Sequence, residues 1–137
     1  LLPSSLQIDD LIGQGAFSKV HRGAWTRKDE KSINVAVKAF SLSDSSDQRR
    51  DMLLKELRAL IKVDCKCLVR FHGAFLQQDT VTMVLEYMDL GSIEQLLKRA
   101  SVKFDEPFLA SMTFQMLWGL AYLHHEKIIH RVSQLCY

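Results

Sequence analysis

The chain lacks any apolar run near the roughly 20 residues that a membrane-crossing helix needs, and no segment has the build of a secretory signal peptide. Cysteine is scarce. Cys65, Cys67 and Cys136 are an odd and sparse set that excludes a disulfide framework. Cys65 and Cys67 form one C-x-C pair, but no second pair and no histidine cluster stands at ligand spacing. His124 and His125 adjoin, and neighbours on a helix point in different directions. Ordinary reduced thiols in a cytoplasmic protein, without a bound metal, are therefore expected. An excess of one charge is missing too. With 18 basic and 16 acidic residues the net charge is +2, so neither a nucleic-acid nor a membrane surface is expected. There is no internal repeat, low-complexity stretch or linker. The first residue is Leu1 rather than Met, so further residues are expected upstream.

What is present is the material of one modest globular domain. The 137 residues are 47% hydrophobic and 25% charged. That hydrophobicity, with so small a charge imbalance, argues against disorder.

Strand patterns come first. Leu6 to Ile12 and Lys19 to Trp25 flank a glycine-bearing turn and predict a hairpin. Ile33 to Phe40 alternates, with Ile33, Val35, Val37 and Ala39 on one face. From about Ser46 to Val63 the apolar residues Met52, Leu53, Leu57, Leu60 and Ile61 predict an amphipathic helix. Leu68 to Leu76 and Thr80 to Tyr87 predict two more strands around the polar turn 77–79. Ser92 is a candidate cap for a short helix from Ile93 to Arg99. Asp105 followed by Pro107 predicts the start of a long helix ending near His125. The order predicts an α+β fold: a small lobe with an antiparallel sheet and one helix, then the opening helices of a helical lobe.

Five segments carry chemistry. Gly13-Gln-Gly-Ala-Phe-Ser-Lys-Val20 reads as a phosphate-binding loop with Ser18 in place of a third glycine. Backbone amides that cradle phosphates need close approach, which a Cβ obstructs. Alone, this stretch reads equally well as a hairpin turn. Lys38 closes the apolar alternation Val35-Ala-Val-Lys, an awkward place for a cation unless it meets an anion; the bland alternative is a snorkelling surface lysine. Glu56 lies mid-helix beside the apolar stripe, where a plain solvated carboxylate is the competing reading. Met83-Val-Leu-Glu-Tyr-Met-Asp-Leu-Gly-Ser92 runs from a strand through a polar connector to a capped helix. Ile128-Ile-His-Arg131 would mean little by itself.

In this order the five segments resemble the eukaryotic protein kinase domain, from about Gln7 to Arg131. Three stretches are similar to the MAP kinase kinase family: 13–23, 85–92 and 114–126. The resemblance implies a small lobe over about 6–87, a hinge and first large-lobe helices over 88–131, and a non-family tail over 132–137. It implies that Lys38 contacts the α- and β-phosphates of ATP and that Glu56 holds Lys38 in place. Ile12, Gly13, Gln14, Gly15, Val20 and Ala36 would line the nucleotide. Leu85 would guard the back pocket, and the Glu86 carbonyl and Met88 amide would meet the adenine edge. Val132 stands where the family has its catalytic aspartate. The asparagine and aspartate that ligate Mg2+ do not appear, so the metal is expected only in the complete enzyme. The complete enzyme would phosphorylate a protein, by resemblance a MAP kinase, and this chain alone is expected to be inactive. The alternative is a natural half-kinase that binds a partner without catalysis. An unspliced intron or gene-model artefact is the expected origin of the ending, because Val132-Ser133 can be encoded as GTGAGT or GTAAGT, which resemble a splice donor; a true truncated isoform or a sequencing end is the alternative.

Overall fold

The computed structural model describes residues 5–15, 18–26, 31–43, 46–99 and 104–129. The elements in chain order are β1 (Leu6–Gln14), β2 (Ser18–Trp25), β3 (Ile33–Ser41), α1 (Asp47–Lys62), β4 (Phe71–Gln77), β5 (Thr80–Glu86), α2 (Ile93–Leu97) and α3 (Glu106–His125). The chain divides into two compact units. One holds residues 1–62 and 69–89, and the other holds 63–68 and 90–137.

The first unit is built on a five-stranded sheet in the order β1-β2-β3-β5-β4, with every pairing antiparallel. Alternation along a strand sends successive side chains to opposite faces. Val35 and Val37 of β3 and Val84 of β5 are fully buried and form a core with Trp25. Leu6 and Phe75 pack against it. The expected face of β3 is thus present, although Ile33 at its end is exposed. Gly23 is required where β1 crosses close to this core. A Cβ there would lie 2.5 Å from the Gln7 carbonyl oxygen and 3.0 Å from Val37.

Helix α1 departs from its expected stripe. Leu53 is buried, and Glu56, Leu57 and Leu60 are half-buried, but Met52 and Ile61 are exposed. At about 100° per residue, the spacing 53-56-57-60 keeps one side of the helix, whereas Met52 and Ile61 fall outside it. Strand β4 starts at Phe71, three residues later than expected. Residues 63–68 belong with the second unit, where the Asp64 amide donates to Tyr122 Oη at 3.1 Å. Gly119 admits this segment closely: a Cβ there would meet Leu68 at 3.1 Å and the Cys67 carbonyl at 3.2 Å. Partial burial, then the neighbouring Cys65, push the Cys67 thiol above its ordinary value.

Both expected caps of the second unit form. Ser92 accepts from the Gln95 amide at 3.1 Å while the Gln95 side chain accepts from the Ser92 amide at 2.8 Å, a complete capping box. The Asp105 carboxylate accepts from the Phe108 amide at 3.0 Å, with Pro107 in the first turn. Helix α3 ends with Lys127 at φ 61°, the Lys127 amide donating to His124 and the Ile128 amide to Leu123, the pairing that terminates many helices. On α3 only Gly119 and Leu123 are buried; Phe114, Met116, Leu117 and Trp118 are exposed.

Candidate functional site

The face of the sheet opposite the Trp25 core brings most of the singled-out strand residues together. Gly13 pairs with Val20, Val20 with Lys38, and Lys38 with Met83, so the four make one row across β1, β2, β3 and β5. The next row is Arg22, Ala36 and Leu85. Residues two apart on a strand share a face, so Val20, Ala36, Lys38 and Leu85 are neighbours on one surface.

Lys38 reaches from this surface to α1. Its Nζ donates to Glu56 Oε1 at 2.8 Å, across 18 residues of sequence. The two side chains are 26% and 40% exposed. A pair this open to water contributes about 1 kcal/mol or less to folding. Its effect is to fix where the ammonium stands. The ammonium also lies 4.9 Å from the centre of the Phe40 ring, within cation–π range.

Gly15 closes the turn after β1 by donating from its amide to the Ser18 carbonyl at 2.8 Å. Ala16 and Phe17, between them, lie outside the described residues. An added Cβ on Gly13 would sit 3.7 Å from Val20, an ordinary contact, and one on Gly15 would sit 3.3 Å from Ser18 Oγ. The fold itself therefore leaves Gly13 room for a side chain. Ile12 and Gln14 are exposed along the same edge of β1.

At the other end of the surface, the Glu86 amide donates to the Arg70 carbonyl at 2.8 Å, and the Glu86 carboxylate accepts from the Arg70 amide at 3.1 Å. These two bonds fix the Glu86 peptide. Met88 follows in an exposed segment, and the Arg22 guanidinium sits 5.6 Å from the Tyr87 ring centre. Arg22, Phe40 and Arg70 were not singled out in the sequence. Period-two spacing from Val20 and Lys38 could have found Arg22 and Phe40; nothing local marks Arg70. A shallow cavity of about 260 Å³ is bordered by Gln14, Gly15 and Ser18 of the glycine-bearing turn and by Lys19, His21, Ala39 and Ser41.

Comparison with known proteins supplies the family. A model of the protein tyrosine and serine/threonine kinase family covers residues 6–133. The chain belongs to this protein kinase family. Its five-stranded antiparallel sheet with α1 is the kinase small lobe, and α2 and α3 are the start of the helical large lobe. Kinase relatives include mitogen-activated protein kinase kinase 3 of Arabidopsis thaliana, 35% identical over 92% of this chain and 24% of that protein. Dual specificity mitogen-activated protein kinase kinase 1 of Dictyostelium discoideum is 32% identical over 92% of this chain and 18% of that protein. Cell division control protein 7 of Schizosaccharomyces pombe is 34% identical over 93% of this chain and 12% of that protein. The chain thus spans a quarter or less of the length of these relatives.

Protein kinases use ATP with Mg2+. Among the described residues there is no group of three or more His, Cys, Asp or Glu side chains that could hold a metal ion. His130, Arg131 and Val132, where the catalytic-loop pattern was expected to break, lie outside the described residues. Among the described residues no helix is long and apolar enough to cross a membrane.

Proposed function

We propose that this chain is the nucleotide-binding part of a kinase that, when complete, transfers the γ-phosphoryl group of ATP to hydroxyls of a protein, with a MAP kinase as the substrate class. The observation that carries the ATP site is the 2.8 Å bond from Lys38 to Glu56, on the sheet face that also bears Val20, Ala36 and Leu85. Lys38 meets the α- and β-phosphates. An ammonium has three donors; Glu56 takes one and leaves the others for phosphate oxygens. Gly13, Gly15 and the intervening Gln14 bring backbone amides to the phosphates. Ile12, Val20 and Ala36 cover the adenine. Leu85 borders the back of the pocket, and the Glu86 carbonyl and Met88 amide pair with the adenine edge, a task that suits the fixed Glu86 peptide. The substrate class rests on the three stretches similar to MAP kinase kinases and on relatives that bear that name.

The test is Lys38→Met in the full-length protein. Loss of phosphoryl transfer by a factor on the order of 100 or more, with the fold intact, is expected for removal of a charge-stabilising donor. Near-normal turnover would remove the assignment. Incubation with a panel of purified MAP kinases and unrelated proteins then tests the substrate class, which fails if the MAP kinases are not preferred.

A further inference from the structure

Lys38 has a second neighbour besides Glu56. Phe40 lies two residues on along β3, hence on the same face of the sheet, and its ring centre is 4.9 Å from the Lys38 ammonium. The ring is half-buried between its partners Ser18 and Val81. Met83, the cross-strand partner of Lys38, is fully buried. The lysine side chain is itself only 26% exposed.

A flexible lysine held by one carboxylate can swing about that contact. A second carboxylate would hold it, but it would take another N–H and repel a phosphate. An aromatic face attracts the cation through its quadrupole. It accepts no conventional hydrogen bond and carries no net charge.

We infer that Phe40 is a positioning residue for Lys38: its ring holds the ammonium over β3 while leaving the donors that Glu56 does not use free for a phosphate-bearing nucleotide. This rests on the reading of Lys38 as the phosphate-contacting lysine. It adds a residue that supports the cation through the electrons of its ring.

The experiment is a fluorination series at position 40 of the full-length protein. Replacement of Phe40 by mono-, di- and trifluorinated phenylalanine changes the ring's shape little but withdraws its π charge stepwise. The measured quantity is kcat/KM for ATP. A graded fall is expected, reaching the effect of Phe40→Leu, which itself should lose about two- to thirtyfold. Phe40→Trp should retain activity better than Phe40→Leu. A flat series means that the ring only fills space, and overturns the inference even if Phe40→Leu is impaired or fails to fold. Lys38→Met runs beside it. Normal turnover by that variant would remove the phosphate role of Lys38 and the inference together, whereas Lys38-dependent turnover with a flat series removes the role of Phe40 alone.

Discussion

The two units bury their apolar residues in different ways. In the first, Val35, Val37 and Val84 are completely enclosed on one face of the sheet and Met83 on the other, because paired strands set every second side chain on a shared face. In the second, α3 carries Phe114, Met116, Leu117 and Trp118 exposed, with only Gly119 and Leu123 buried. A helix that is apolar on all sides needs cover from several directions. A sheet with one apolar face needs cover from one. The pattern of a strand therefore states its own packing, while that of α3 states only that packing is required.

Substitutions at matched positions would break that comparison if it is wrong. Met83→Ala should cost the most, about 2–5 kcal/mol, as expected for truncating an enclosed methionine. Leu117→Ala, at 61% exposure, should change the stability of the 137-residue chain by about 0.5 kcal/mol or less. Urea denaturation of both variants checks this, and equal costs would show that α3 is as well enclosed as the sheet.

Within the sheet, Gly23→Ala should follow at about 1–3 kcal/mol, the range for forcing extra volume into a packed site. The atom it meets at 2.5 Å is the Gln7 backbone oxygen, which has little freedom to move. Gly13→Ala meets Val20 only at 3.7 Å and should leave stability within about 0.5 kcal/mol. If Gly13 is kept for close approach of phosphate, nucleotide affinity should fall in that variant all the same. Thermal denaturation with and without nucleotide separates the two glycines.

In the second unit the larger effect should come from a cap. Gly91 has φ 78°, and a Cβ there would collide with the Gln95 side chain that completes the box around Ser92. Gly91→Ala should cost about 1–2 kcal/mol locally, seen as faster amide exchange at Ser92 and Gln95. Unchanged exchange would mean that the box adds little.

The smallest expected effect is a pH dependence in α2. The hydrogen bond from Lys98 at 2.7 Å, and then its charge, hold the Glu94 carboxyl below its ordinary value. A depressed folded-state value means that the stabilisation is present above the ordinary glutamate range and is lost as pH falls through the lowered one. Both groups are well exposed, so salt should weaken the effect. Glu94→Gln should remove this dependence; an identical acid profile for α2 amides in that variant would contradict it.

Much of the candidate site was readable in the chain because its parts are local. Lys38 follows an alternating apolar run, the glycines sit in a turn, and Ser92 and Asp105 precede their helices with the right spacing. Glu56 stood out by the apolar stripe around it. Met52 and Ile61 were misassigned to that stripe because hydrophobicity was counted without the angle each residue takes around the helix.

The sequence by itself determined which elements form, which face of β3 enters the core, and the family to which the chain belongs. The elements and the buried face rest on periodicity, capping and turn chemistry, set within a few residues of chain, and the family rests on its motifs in their order. Only the tertiary structure decided that Arg70 fixes the Glu86 peptide, that Gly23 and Gly119 are points of close approach, and that Lys38 stands between Glu56 and Phe40. Such contacts join residues far apart in the chain or depend on a side chain's reach, and cross-strand register and helix placement exist only once the chain has folded.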